Sequence, residues 1–182
     1  MSKKKIIFIE DENNYIEAYQ KLLGLIQGFL FDTPEIYHDK ESASKKINDW
    51  EKDQTTTPDL VFLDLILPTT PKIYDEFKDE QDFSKKSVAM MQGDIDSNAG
   101  IELYRKIRGL GPIFQRTKDT KHLIQLPIII LTANYRLPPS TRANMQDDVY
   151  LCWIDKPFKP KVAAGIVKKF LMKHSNKTEP QS

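Results

Sequence analysis

This sequence predicts an α/β fold built on a parallel sheet, with helices crossing between the strands. Three observations lead there. Short apolar runs, IIFI at 6–9, LVFL at 60–63 and IIIL at 128–131, consist of branched or aromatic side chains, and each ends abruptly in polar residues. Segments with helical spacing of apolar residues lie between them. The two kinds alternate along the chain, as in strand–helix–strand units with right-handed crossovers. Strands that are apolar throughout belong to sheets covered on both faces.

The elements follow in order. Lys3-Lys4-Lys5 is a solvated lead-in to the first strand. In ENNYIEAYQKLLGLIQ, Tyr15, Tyr19, Leu22 and Ile26 share a stripe with Ile16 and Leu23 beside it, which predicts an amphipathic helix. A weaker strand lies around Ile36 and Tyr37, and residues 40–50 make a short helix around Ala43, Ile47 and Trp50. After the strand at 60–63, IELYRKIR (101–108) groups Ile101, Tyr104 and Ile107 and puts its arginines in the last turn, where cations are favoured. IIIL is followed by Pro138-Pro139, which either opens a helix or holds a loop, and then by the strand YLCWI (150–154). Pro160 starts a final helix, whose apolar stripe is expected at Val162, Ile166 and Phe170.

Composition narrows the function. The 182 residues suit one domain, and 40% hydrophobic with 29% charged residues is ordinary for a soluble protein. A net charge of +1 gives no reason to expect nucleic acid or a membrane surface as partner. The single cysteine, Cys152, excludes an internal disulfide framework, and no apolar run is long enough to span a bilayer. A cytoplasmic protein is expected. His38, His122 and His174 have no partners at metal-ligand spacing, so zinc has little support.

One residue breaks the apolar pattern. In LVFLDLILP the fifth letter is Asp64, and a carboxylate among apolar neighbours costs several kcal/mol unless it finds partners or a proton. In open α/β sheets ligands bind beyond the carboxyl ends of the strands, and Asp64 sits at such an end. The other strand ends supply complementary chemistry: Glu10-Asp11-Glu12 after the first, Thr132 after IIIL, and Asp155-Lys156-Pro157-Phe158 after YLCWI. Singly, each has a plain explanation, such as Asp11 capping a helix. Together they predict a site. Carboxylates about 4 Å apart repel by roughly 4 kcal/mol per pair at an effective dielectric near 20. A hard cation such as Mg²⁺, assisted by Lys156, would keep Asp64 ionised and nucleophilic.

IEDE, DLILP, LTA and DKPF, in this order and at these strand ends, resemble the receiver domain of two-component response regulators over roughly residues 4 to 172. The resemblance implies a flavodoxin-like three-layer (βα)5 sandwich with a five-stranded parallel sheet. It implies that Asp64 accepts a phosphoryl group from a histidine kinase or phosphotransfer protein. Asp11 would hold Mg²⁺ directly, Glu10 through water, and the Ile66 backbone carbonyl would complete the protein's ligands. Lys156 would contact the acyl phosphate, with Pro157 cis, and Thr132 would hydrogen-bond the phosphoryl oxygens. Trp153 falls at the switch aromatic, where phenylalanine or tyrosine is more usual. A downstream protein target and a possible homodimer complete the expected partners. The chain would catalyse its own phosphotransfer and autodephosphorylation without being a free-standing enzyme.

The departures are as informative. The core (4–172) is interrupted by an insertion at 69–99, about 28 residues longer than the family's connection, with seven acids against four basic residues. Its Ile73, Tyr74, Phe77, Phe83, Val88, Met90 and Met91 favour partial order, with helical turns near 82–92. Such a flap would restrict access to Asp64 or slow hydrolysis, and deleting 71–97 should then speed dephosphorylation. A second excess lies in GLGPIFQRTKDTKHLIQLP, where His122 is expected at the surface. Ile66 and Asn134 stand where the family often carries groups that orient water, which implies a long-lived phosphorylated state. The polar tail 173–182 follows, with no output module in view, so the chain either acts alone through a partner or is a piece of a longer protein. Two alternatives stay open. One is a phosphorylation-independent pseudo-receiver with Asp64 occluded. The other is an aspartyl phosphatase, which Ile66 disfavours because it cannot act as a general acid.

Overall fold

The computed structural model describes residues 2–78, 83–110, 120–133 and 142–175. Asn134, Pro138-Pro139 and residues 111–119 of the second excess lie outside these residues.

The sheet contains β1 (Ile6–Ile9), β2 (Glu35–Tyr37), β3 (Leu60–Leu63), β6 (Ile128–Thr132) and β7 (Leu151–Asp155). All pairings are parallel, in the order β2-β1-β3-β6-β7. The apolar runs are explained by what covers each face. Ile7, Ile9, Val61, Leu63, Ile128 and Ile130 pack in one core with α2 (Lys40–Lys52) and α5 (Ala99–Arg108). Ile6, Phe8, Leu60, Phe62, Ile129 and Leu131 pack in a second core with α1 (Asn13–Gly24) and α7 (Pro160–Ser175). Successive strand residues point to opposite faces, and both faces are dry, so every position must be apolar. This is the three-layer arrangement expected from the sequence.

The helices form where their apolar residues repeat. In α1, Ile16, Tyr19, Leu22 and Leu23 are buried, and in α2, Ala43, Ile47 and Trp50. The Asp39 side chain caps α2 by accepting from the Ser42 N–H at 2.8 Å, and Gly109 ends α5 in the left-handed conformation at φ 64°.

The stripe expected on the last helix is corrected. Val162 and Ile166 are 61% and 41% exposed, and the buried face is Ala163, Ala164, Val167 and Leu171. Ala163 and Ala164 let α7 approach α1 and the sheet, Val167 and Leu171 continue that face, and of the expected stripe only Phe170 packs partly against the core. The helix also runs to Ser175, three residues into the expected polar tail.

The insertion is ordered in its described parts. A two-stranded antiparallel ladder, β4 (Leu67–Pro68) with β5 (Ile95–Asp96), closes its base, and α3 (Pro71–Phe77) and α4 (Phe83–Gln92) rise from it. Pro71 occupies the first turn of α3, whose Thr70 cap accepts from the Ile73 N–H. The expected turns near 82–92 correspond to α4. A four-residue helix, α6 (Lys121–Ile124), precedes β6.

Candidate functional site: an acidic cluster at the carboxyl ends of the strands

The strand ends converge as parallel pairing requires. Glu10 follows β1 and Asp64 follows β3, and the two strands pair from Ile6↔Leu60 to Ile9↔Leu63. Their side chains therefore leave the sheet side by side. Glu10, Asp11 and Asp64 each bring an oxygen within 4.8 Å of the others, the one such cluster among the described residues. Asp11 does not cap α1, whose N-cap is Glu12 without a side-chain hydrogen bond.

Lys156 enters from the far strand. Its backbone N–H donates to the Thr132 carbonyl at 2.9 Å, which extends the β6–β7 ladder by one residue. The ammonium donates to Glu10 Oε2 at 2.6 Å and to Asp64 Oδ2 at 2.9 Å. Glu10 is fully buried, Lys156 is 3% exposed and Asp64 8%. The Lys156–Pro157 peptide is cis. The Leu65 N–H donates to Asp64 Oδ1 at 2.6 Å, so both Asp64 oxygens have a partner.

The backbone just after Asp64 is fixed by Gly100. Its N–H donates to the Leu65 carbonyl at 3.1 Å, and α5 approaches so closely that a Cβ there would fall 2.7 Å from Leu65 Cα. Ile66, half-buried, lies in this loop between Asp64 and β4. Thr132 is 5% exposed at the end of β6. Trp153 points elsewhere: it packs half-buried against the α2–α5 core, with the Arg142 guanidinium 5.0 Å from its ring centroid.

Sequence reasoning missed four residues at this site. Tyr15 and Tyr19 read as core positions on an apolar stripe, yet the Lys156 ammonium lies 3.9 Å from the Tyr15 ring centroid, a cation–π distance. The Tyr19 hydroxyl donates to Glu10 Oε2. His38 pairs through Nδ1 with the Glu10 carbonyl at 2.9 Å, and the insertion's Tyr74 stacks on its ring with centroids 4.4 Å apart. Lys86, from α4, reaches Glu12 at 4.0 Å. The hydroxyls on the α1 stripe were the available signal for Tyr15 and Tyr19; His38 and Lys86 had none. His122 is also corrected. It is half-buried, with Nε2 at 2.9 Å from the Trp50 carbonyl, and serves packing.

The electrostatics point to a missing positive charge. Burial pushes the Glu10 carboxyl well above the ordinary range, and the Asp64 charge adds to it. Burial, then the charges of Asp64 and Glu12, push Asp11 up to about 7. Burial alone would lower the Lys156 pKa, but the Asp64 and Glu10 carboxylates outweigh it and raise it. Three carboxylates thus cluster together, and two of them, Glu10 and Asp64, bond the Lys156 ammonium. An all-oxygen, hard, net-negative donor set fits a divalent cation that keeps part of its water shell.

No family model matches the chain, and no curated protein matches it in sequence. Solved structures do. A response regulator receiver domain protein (CheY-like) from Methanospirillum hungatei aligns at a TM-score of 0.57 with 18% identity, over 97% of this chain and 99% of that one. The phosphorylated cyanobacterial phytochrome response regulator RcpA aligns at 0.55 with 18% identity, over 100% of both chains. The signal receiver domain of a signal transduction histidine kinase from Syntrophus aciditrophicus aligns at 0.53 with 20% identity, over 98% of this chain and 96% of that one. The chain therefore has the flavodoxin-like fold of CheY-like receiver domains, nearly from end to end.

Proposed function

We propose that the chain is a response regulator receiver domain that accepts a phosphoryl group on Asp64 and changes its binding to a protein partner as a result. One observation carries this reading. A single strand-end carboxylate is held by the Lys156 ammonium at 2.9 Å inside a cluster with Glu10 and Asp11.

An Asp64 oxygen attacks the phosphorus of a phosphohistidine donor. The P–N bond breaks, its electron pair and a proton stay with the imidazole, and an acyl phosphate forms on Asp64. Glu10, Asp11 and Asp64, with the Ile66 carbonyl, would hold Mg²⁺, which when bound neutralises charge on the phosphoryl oxygens. Lys156 bonds the Asp64 carboxylate before transfer and would balance the added charge after it. The new group brings between about 1.5 and 2 negative charges, if the acyl phosphate behaves like a phosphoester. Thr132, at the end of β6, would supply the hydroxyl that answers it, and its movement would bias the surface a partner reads. Chemistry of this kind is positioning plus charge stabilisation and needs no separate enzyme active site.

The partners proposed are a histidine kinase or phosphotransfer protein and a downstream protein target. Among the described residues no helix is long and apolar enough to cross a membrane, and the cytoplasm is the proposed location. Ile66 offers attacking water no side-chain hydrogen bond, so the acyl phosphate should decay slowly, and faster in Ile66→Asn.

The test is incubation with acetyl phosphate and Mg²⁺, followed by intact mass and tryptophan fluorescence. A gain of one phosphoryl group that Asp64→Asn abolishes is the expected result. No gain in the wild type would overturn the reading and favour a phosphorylation-independent binding module, for which the packing of the insertion beside the acidic loop is the supporting observation.

A further inference from the structure

The insertion touches the acidic loop at a charged point. α4 presents alternating environments along its length: Lys86, Ala89 and Met90 face inward, with Ala89 1% exposed, while Lys85, Ser87, Val88 and Met91 face outward. That spacing is one helical face. Of the two adjacent lysines, only Lys86 is turned to the body of the protein, and it ends 4.0 Å from Glu12, next to Asp11.

The helix that carries it is tied down. Thr69 donates to the Asp94 carbonyl through both its N–H at 2.9 Å and its hydroxyl at 3.0 Å. The Asp94 N–H returns to the Ala89 carbonyl at 2.9 Å. Lys40 bonds Asp96 and Glu102, each at 2.7 Å, which fastens the base of the insertion to α2 and α5. On the other side Tyr74 stacks on His38. Lys86 thus rises from a helix anchored at its end and at the base of the insertion.

The Lys86–Glu12 contact contributes little to stability, since half-exposed ion pairs at such distances are worth between zero and about 1 kcal/mol. Its consequence lies in the field. The rim carries Glu10, Asp11, Glu12 and Asp64 against Lys156, and Lys86 brings a further positive charge to its edge at Glu12. We infer that the insertion is an electrostatic part of the site: α4 delivers Lys86 as a second ammonium, which weakens cation binding and strengthens attraction for the phosphoryl donor. This rests on the phosphoacceptor reading for its second half only. The fold needs no insertion to build the acidic cluster, so the insertion serves to set the ratio of cation to phosphoanion affinity.

Two measurements with opposite signs test it. Mg²⁺ affinity and the rate of phosphorylation by acetyl phosphate are compared in wild type, Lys86→Arg, Lys86→Ala and Lys86→Glu, with Lys85→Ala as the outward-facing control. Removing the charge should tighten Mg²⁺ by roughly threefold and slow phosphorylation by a similar factor, and reversing it should double both effects on a logarithmic scale. Both should shrink at high salt, and Lys86→Arg and Lys85→Ala should behave as wild type. Impaired folding would weaken both properties together, so opposed shifts cannot come from it. Equal Mg²⁺ affinities across the series overturn the inference. If the wild type takes up no phosphoryl group, the phosphoacceptor reading fails, and the Mg²⁺ series alone decides whether Lys86 sets the charge of the rim.

Discussion

Two clusters of buried charge lie at opposite ends of the sheet. At the amino ends of β6 and β7, Arg108 is 7% exposed and makes four hydrogen bonds. It donates to Asp148 Oδ2 at 2.7 Å, to the Leu123 and Leu126 carbonyls at 2.8 Å each, and to the Tyr150 carbonyl at 3.1 Å. At the carboxyl ends, three carboxylates cluster and two of them share one ammonium. The first cluster is one cation balanced by one anion and three carbonyl dipoles. The second is left short of positive charge. A buried ion that closes its own account of partners holds a fold together; one that does not is poised to take a ligand.

The largest effect should come from breaking the balanced end. Arg108→Met removes four hydrogen bonds and the cation facing Asp148; the Tyr104 hydroxyl at 3.0 Å and the Tyr150 N–H at 2.9 Å stay on Asp148, but neither carries a charge to replace it. Urea unfolding at pH 7 should show a loss of about 3–5 kcal/mol, with phosphoryl uptake per folded molecule unchanged. A loss below about 1 kcal/mol would show that this cluster is not the structural anchor its geometry describes.

Next in size is Gly100→Ala, which acts on the other end through the backbone. The new Cβ would lie 2.7 Å from Leu65 Cα and closer still to the Asp64 carbonyl oxygen, and neither atom is a side chain that can turn away. The expected cost is about 3 kcal/mol, with weaker Mg²⁺ binding in whatever folds. Gly165→Ala, where nothing lies within 4 Å of the added carbon, is the control and should gain about 0.5–1 kcal/mol in helix α7.

A smaller and more diagnostic effect follows from pH. Asp11 is pushed from an ordinary 3.8 up to about 7 in the folded chain, so it binds its proton more tightly folded than unfolded. Its contribution to stability is then fully present below about pH 4 and is lost as pH rises through 7, opposite to a salt-bridged carboxylate. Glu10 is shifted in the same direction. Metal-free protein should therefore lose stability between pH 5 and pH 8, and Mg²⁺ should raise the unfolding midpoint more at pH 8 than at pH 6. Asp11→Asn should flatten the slope and stabilise the metal-free protein at pH 8 by on the order of 2 kcal/mol. A midpoint that rises with pH in the absence of Mg²⁺ would contradict the charge imbalance.

Legibility in the sequence differed between these two ends. The strand runs and the α1, α2 and α5 stripes were readable because burial on both faces leaves an unbroken apolar signal. Glu10, Asp11, Asp64 and Lys156 were readable because ionisable residues at the ends of such strands have no packing reason to be there. Arg108 was not: at the last turn of α5 it looks like a solvated cation favoured by the helix dipole, and only the fold brings Leu123, Leu126, Asp148 and Tyr150 around it. The α7 stripe misled because i, i+4 spacing marks large apolar residues. The close packing of α1 on α7 selected Ala163 and Ala164 instead. The insertion's helical turns were visible in outline, but Lys86 and Lys85 are indistinguishable as letters.

Tyr19 separates the two roles within a single residue, which makes its substitution the finest test of the comparison. Its ring is core: it packs edge-on to Phe8 at 5.3 Å between centroids and stacks on Phe62 at 5.5 Å. Its hydroxyl is site: it donates to Glu10 Oε2, the oxygen that also receives Lys156. Tyr19→Phe keeps the ring and removes the donor. Glu10 retains Lys156 and the Glu12 N–H at 3.2 Å, so the stability lost should be only about 1 kcal/mol. The lost donor leaves Glu10 leaning harder on the ammonium, and Lys156 has correspondingly less charge to share with Asp64. Phosphorylation by acetyl phosphate should therefore slow by a few-fold while the protein remains folded, and a variant indistinguishable from wild type in rate would place the hydroxyl with the core.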